Sequence, residues 1–161
     1  MKPSDLLSLL QDIHRDKLAL YRRHEAGARV VGAYDLNNTY QYILAREATH
    51  LEWLRAAIEE LGAPVDGEAA VSTVPAVTKG DASAVCEDDA RRMEAFVQAW
   101  RTRIDGVTQA RHRTMLGLVL GEAGEHQRFF AQAAAGRADL LGRRPAGVGT
   151  GGGVLGSRWI E

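Results

Sequence analysis

The segment from Ile43 to Leu61 places two ionisable side chains on the apolar face of an amphipathic helix. At steps of three and four residues, that face carries Ile43, Leu54 and Leu61. Glu47 and His50 lie on the same face, and burying a charged group costs several kcal/mol unless it is paired or bound to a metal. Because the two groups are three residues apart, a shared partner explains both, and the rest of the chain must supply it.

Length and composition predict a single globular domain. The chain has 161 residues, of which 45% are hydrophobic and 25% charged, and its net charge is −1. That charge gives no electrostatic basis for binding nucleic acid or an anionic membrane. Cys86 is the single cysteine, which excludes an internal disulfide and a paired-cysteine zinc or rubredoxin-type iron site. No apolar segment has the length of a signal peptide or a membrane span, so a cytoplasmic location is expected.

The first half of the chain predicts two helices. The first begins after Ser4, a favourable N-cap residue, and runs toward Tyr34. The sequence DLNN at residues 35–38 has turn chemistry, and the second helix runs from about Thr39 to Leu61. The inward stripe of the first helix is predicted to be Leu7, Leu10, His14, Leu18, Tyr21, Glu25 and Ala28.

The second half predicts a long crossover, residues 63–82, and two more helices. The third begins near residues 81–83 and breaks at Asp105-Gly106; the fourth starts near Thr108 and fades around residues 136–142. The predicted stripe of the third is Ala90, Met93, Val97, Trp100 and Ile104, with Glu94 in or beside it. The fourth is predicted to carry Met115, Leu118, Val119, Glu122, His126, Phe129 and Ala133 inward. Two helix hairpins joined by a long crossover predict an all-α, antiparallel four-helix bundle over residues 1–142.

Residues 143–161 are expected to form a Gly-rich tail with a short apolar terminal peptide. The apolar peptide carries Val154, Leu155, Trp159 and Ile160. A terminal Trp-Ile pair after a flexible spacer suggests a docking peptide for a protein partner. The alternative is an end that packs on its own bundle.

The second and fourth helices carry similar polar pairs. Glu47-x-x-His50 in the second matches Glu122 and His126 in the fourth, where one extra residue separates the glutamate from the histidine. Residues four apart still share a face of a regular helix, and a π-bulge is another way to accommodate the insertion. The insertion leaves open whether Glu122 or Glu125 is the carboxylate of the fourth helix.

The first and third helices each offer a carboxylate by position. Antiparallel packing about the turn at residues 35–38 brings Glu25 level with Glu47, and a turn at Gly106 brings Glu94 within about one helical turn of Glu122. His14 and His24 are alternative donors of the first helix, because Glu25 lies in the charged run RRHEAGAR. The alternative role for Glu94 is a surface salt bridge with Arg91 or Arg92, which lie close by in the sequence.

Four carboxylates and two imidazoles in an apolar core repel one another unless they bind cations, and two divalent metal ions accept such ligands. Glu-x-x-His on two helices with a lone Glu on each of the others is the ligand set of di-iron and di-manganese bundles. The chain therefore resembles the ferritin-like superfamily, in particular rubrerythrin and ferritin-like di-iron proteins, over about residues 5–136. The ligands that the resemblance implies are Glu25, Glu47, His50, Glu94, Glu122 and His126.

The resemblance implies a centre of two iron ions, or manganese, with oxidoreductase chemistry: a ferroxidase, peroxidase or oxidase that uses dioxygen or peroxide. It also implies a homodimer or higher homo-oligomer. The alternative function is a non-catalytic helical interaction module, or an encapsulated cargo protein that uses its C-terminal tail. The terminal sequence GGGVLGSRWIE loosely resembles the peptides that load ferritin-like proteins into encapsulin shells.

Overall fold

In a computed structural model, the described residues form four helices around one hydrophobic core. The helices are α1 (Pro3–Val30), α2 (Tyr34–Glu60), α3 (Ser83–Asp105) and α4 (Ala110–Ala134). The structure describes residues 1–65, 67, 73–77 and 79–142, and the predicted tail at residues 143–161 lies outside the described residues. The expectation of an all-helical bundle is confirmed.

Each helix contacts two others. α1 packs mainly on α2 and also on α3, whereas α4 packs mainly on α3 and also on α2. Polar contacts reinforce this arrangement, since the indole Nε1 of Trp100 on α3 donates to Asp16 of α1 at 3.0 Å. The largest fully buried apolar side chains of the core are Trp100, Tyr40, Phe130, Leu6, Leu10, Ile13, Ile43, Leu54, Ile58 and Met93.

The turn between α1 and α2 lies at residues 31–33, so the prediction of a turn at residues 35–38 is wrong. Those residues instead form the start of α2. Asp35 stands in its first turn, where a carboxylate is favoured by the helix dipole, and the Asn37 side chain donates to the Ala28 carbonyl at 2.9 Å. Asp35 and Asn37, residue types that are also common in turns, therefore stabilise the N-terminus of α2 and its contact with α1.

The buried face of α1 is also rotated from the predicted stripe. Glu25 and Tyr21 are half-buried at its edge, whereas Lys17, Arg23 and His24 are buried. The spacing Ile13, Lys17, Leu20, His24 follows the helical period, but the two ionisable members hide this stripe from a hydrophobicity pattern. Four residues of the predicted stripe are buried as expected: Leu10, His14, Leu18 and Ala28. The other three, Leu7, Tyr21 and Glu25, lie half-buried at the edge of the buried face.

The helix bounds in the second half of the chain follow the prediction closely, but Leu118, predicted to point inward, is 54% exposed, whereas Leu116 is buried. α3 begins at Ser83 and ends at Asp105, next to Gly106, and α4 is a regular α-helix throughout, with no π-turn at the extra residue. The described residues between α2 and α3 contain no helix, and Val65, Val74 and Val77 among them pack partly buried against the core. No helix among the described residues is long and apolar enough to cross a membrane.

Candidate functional site

Ionisable side chains of α1, α2 and α4 meet inside the bundle. We call the following six the polar cluster: Lys17, His24, Glu47, His50, Glu122 and His126. All but Glu122 are 0% exposed, and Glu122 lies at the rim with its side chain 26% exposed. Burying so many ionisable groups is costly, so each needs a partner or a function.

Glu47 holds the inner half of the polar cluster. The Lys17 ammonium donates to its Oε1 at 2.7 Å, and Nδ1 of His24 lies 2.7 Å from its Oε2. Burial opposes ionisation of this carboxyl, but His24 and Lys17 outweigh it and hold the pKa of Glu47 well below its usual range. Glu47 is therefore a carboxylate whose charge is already balanced by an ammonium of the protein.

The hydrogen bond to Glu47 also places one proton on the His24 ring. A carboxylate only accepts hydrogen bonds, so Nδ1 of His24 carries the proton that it donates. The other ring nitrogen, Nε2, is buried and has no hydrogen-bond partner among the described residues.

Glu122 holds the outer half of the polar cluster. Nε and Nη2 of Arg46 bind its two carboxylate oxygens at 2.9 and 2.7 Å, a two-pronged arrangement, and Nε2 of His50 lies 2.9 Å from its Oε2. These hydrogen bonds, above all that from Arg46, lower the pKa of Glu122 to about 2. Glu122, not Glu125, is the carboxylate of α4 that makes these contacts.

His50 and His126 are buried as neutral rings. Burial lowers the pKa of His50 to about 4, with Lys17 adding to the effect, and lowers that of His126 to about 3. Because Nε2 of His50 donates to Glu122, its Nδ1 keeps the lone pair, and no described residue bonds that nitrogen.

His126 is the least satisfied member of the polar cluster. Within the part of the chain that the structure describes, neither of its ring nitrogens has a hydrogen-bond partner, although the side chain is 0% exposed. Its ring lies 6.4 Å from that of His50, centroid to centroid, and meets the Tyr42 ring edge-on at 6.3 Å. An unsatisfied buried polar group costs about 1–3 kcal/mol, so a partner for these nitrogens would stabilise the protein.

A second buried polar group, which the sequence analysis missed, connects α3 to α1 and α2. The Tyr40 hydroxyl donates to Oδ2 of Asp89, and Nε of Arg23 lies 3.0 Å from its Oδ1 without the alignment of a hydrogen bond. Burial raises the pKa of Asp89, against the opposing effects of His24, Tyr40 and Arg23. In the sequence, the burial of Asp89 could have been predicted from its position three residues after Cys86 and four before Met93, on the buried face of α3.

Two predicted ligands lie away from the polar cluster. Glu25 pairs with Arg22 at 2.9 Å and is 27% exposed, and Glu94 is exposed and accepts from Gln98 at 3.2 Å. The rotation of α1 places His24, an alternative donor, inward in place of Glu25. On α3 the buried stripe passes through Met93 and leaves Glu94 outside. The structure thus brings together Glu47, His50, Glu122 and His126, but neither Glu25 nor Glu94.

As they stand, no three His, Cys, Asp or Glu side chains of the described residues converge closely enough to hold one metal ion. Lys17 pairs with Glu47 and Arg46 pairs with Glu122, so each of the two carboxylates already has a cationic partner. Two carboxylates and two protein cations already balance, so two divalent ions would add four uncompensated positive charges to the interior. The residues therefore do not fit a two-metal centre with four carboxylates.

If Glu122 were released from Arg46, the outer side of the polar cluster would offer donors for one metal ion. Imidazole nitrogens and a carboxylate oxygen are then available from His50, His126 and Glu122. Two histidines and one carboxylate suit a first-row transition metal with open positions. His24, on the inner side, would hold Glu47 in place rather than bind the ion.

No protein-family model matches this chain, and comparisons with curated proteins and with solved structures likewise gave no match.

Proposed function

We propose that this protein is a ferritin-like, antiparallel four-helix bundle that binds a transition-metal ion between α2 and α4 and uses it for oxidoreductase chemistry. Two contacts support the antiparallel arrangement of α1 and α2. Asn37 bonds Ala28 beside the turn, and Lys17 bonds Glu47 farther along both helices. Moving away from the turn, an earlier residue of α1 thus contacts a later residue of α2, as expected for antiparallel helices.

The pair of unpartnered ring nitrogens on His126 carries the proposal. A buried neutral imidazole that only packed would be expected to bond a carbonyl or a hydroxyl of the protein. His126 instead lies beside a second neutral imidazole, His50, which in turn touches the carboxylate of Glu122. Iron, manganese, cobalt and zinc accept this combination of donors.

The surrounding residues have separate roles. His50 and His126 offer lone pairs from buried, neutral rings, which need no deprotonation at neutral pH. Glu122 offers an anionic oxygen at the rim, the side from which an ion would enter. A redox-active ion held by these groups would supply electron transfer to dioxygen or peroxide, the chemistry that the ferritin-like resemblance implies.

Burial limits what else can react here. Five of the six cluster side chains are 0% exposed, so the site admits an ion or a diatomic molecule rather than a larger organic substrate. Lys17 and His24 keep Glu47 ionised and oriented next to the histidines. The protein thus supplies a dry, preorganised surrounding in which charge is stabilised by fixed groups.

Titration of metal-free protein with Co²⁺ tests the proposal, because cobalt bound to nitrogen and oxygen donors absorbs visible light. Wild-type protein is expected to bind one ion per chain, and His126→Gln to bind at least about tenfold more weakly. His112→Gln is the matched control, since His112 lies on the same helix outside the polar cluster. Equal binding by His126→Gln and wild type, or no binding by wild type, would contradict the proposal.

The redox part is tested separately. Ferrous iron added to the protein in air is expected to oxidise faster with wild type than with His126→Gln, as followed by ferric absorbance. Circular dichroism of each variant verifies that the helices are retained. If oxidation is no faster with wild type than with buffer alone, the oxidoreductase assignment is wrong even where metal binding holds.

A further inference from the structure

The two cations that neutralise the polar cluster differ in how far they can move. Lys17 and Glu47 are both 0% exposed, so separating them would leave two unpaired charges inside the protein. Arg46 is 34% exposed and its partner Glu122 26% exposed. The Arg46 guanidinium can therefore leave Glu122 and enter water without the same desolvation cost.

Arg46 also contacts the atoms that a metal ion would need. Its two-pronged contact occupies both oxygens of Glu122, and His50 shares one of them. While the guanidinium stays in place, Glu122 has little capacity to coordinate a cation. A guanidinium and a metal ion at the same carboxylate also repel each other.

We propose that Arg46 is a displaceable internal cation: it holds Glu122 in the metal-free protein, and the entering metal ion displaces it into solvent. This inference rests on the proposed function and adds how its site is regulated. Lys17 remains on Glu47 throughout, so the site takes one ion and not two. Arg46 thus lowers the affinity for metal while keeping the empty polar cluster electrically balanced.

Cobalt titration of Arg46→Gln tests this inference. Without the competing guanidinium, the affinity for Co²⁺ is expected to rise about fivefold or more, since a two-pronged, charge-assisted contact is stronger than an ordinary surface ion pair. The number of ions per chain is expected to stay at one. Arg55→Gln is the matched control, because Arg55 lies on the same helix and pairs with Glu52 at 2.6 Å, outside the polar cluster.

The outcomes separate the two proposals. If wild type binds cobalt but Arg46→Gln binds no more tightly than wild type and Arg55→Gln, Arg46 does not compete and only this inference falls. If Arg46→Gln binds while wild type does not, the ion cannot displace the guanidinium, and both the proposed function and this inference are overturned. If neither protein binds, both proposals are overturned.

A nuclear magnetic resonance experiment gives a readout that does not depend on affinity. The Nε–H signal of Arg46, assigned by its loss in Arg46→Gln, is expected to move toward the position of a solvated arginine when Zn²⁺ is added. The Nε–H signal of Arg55 should stay unchanged. A constant Arg46 signal while the ring signals of His126 shift would show that the ion binds without displacing the guanidinium, and would overturn the inference.

Discussion

Replacing Lys17 with methionine is expected to destabilise the protein strongly. Methionine keeps the length of the side chain but removes the ammonium, which lies 2.7 Å from Glu47 with both side chains fully buried. Removing one partner of a buried ion pair costs about 3–5 kcal/mol. Because His24 still bonds the carboxylate, we expect the lower end, about 3 kcal/mol in the free energy of unfolding.

A double-mutant cycle separates the ion pair from the loss of packing. Glu47→Gln retains an oxygen that can accept from His24 but carries no charge. The double variant Lys17→Met/Glu47→Gln has no unpaired charge, so it is expected to be more stable than the sum of the two single changes by about 2 kcal/mol. Arg15→Met is the control on the same helix; the pair of Arg15 with Asp12 is exposed, and its loss should cost less than about 1 kcal/mol.

Urea unfolding of metal-free protein at neutral pH, followed by circular dichroism, measures all four variants. The reasoning is refuted if Lys17→Met costs no more than Arg15→Met, or if the effects of Lys17→Met and Glu47→Gln simply add. Either result would mean that the ammonium of Lys17 does not neutralise Glu47 in the folded protein.

Three further predictions concern single positions. In urea unfolding, Gly27→Ala should lower the free energy of unfolding by about 1–3 kcal/mol, because the new Cβ would lie 2.8 Å from the Tyr40 ring. Gly117→Ala, whose new Cβ would have no atom within 4 Å, should raise it by up to about 1 kcal/mol. Burial raises the pKa of the Cys86 thiol to about 11, so iodoacetamide should label it at neutral pH only after unfolding; rapid labelling of folded protein would count against its burial. Burial lowers the pKa of His126 from 6.5 to about 3, so between these values the unfolded chain binds a proton that the folded chain does not. As the pH drops through that window, His126 should therefore lower the free energy of unfolding of metal-free protein by about 1.4 kcal/mol per pH unit. In His126→Gln, the free energy of unfolding should depend correspondingly less steeply on pH.

The helix count and the ends of α3 follow from the sequence because local signals and tertiary structure agree there. Gly106 and the small, polar residues before Ser83 interrupt an otherwise continuous apolar period. The turn between α1 and α2 could not be placed in the same way. Asp35 and Asn37 are common in turns and at helix starts alike, and only the contact of Asn37 with Ala28 decides between the two.

The inward face of α1 shows a deeper limit of sequence patterns. A hydrophobicity pattern treats Lys17 and His24 as surface residues, because a lone charged residue in the core is unfavourable. They are buried together because Glu47, on another helix, pairs with both. The two partners of Glu47 are 30 and 23 residues away in the sequence, so no local pattern indicates these pairs. Only the structure shows that His24, and not Glu25, points into the core.

The conspicuous part of the candidate site was visible in the sequence. Glu47, His50, Glu122 and His126 have the residue types and spacing of ligands, and the structure places them together. What the sequence could not show is that protein cations engage both carboxylates. Metal binding itself stays a prediction, and its expected stoichiometry changes from two ions to one.

Anomalous diffraction from crystals grown with saturating Fe²⁺ or Co²⁺, recorded at the metal absorption edge, tests the central claim most directly. One anomalous peak per chain is expected between α2 and α4, about 2.0–2.2 Å from a nitrogen of His50, a nitrogen of His126 and an oxygen of Glu122. The Arg46 side chain should point to solvent. No peak at these residues, or a peak only at surface carboxylates such as Glu25 or Glu94, would contradict the account.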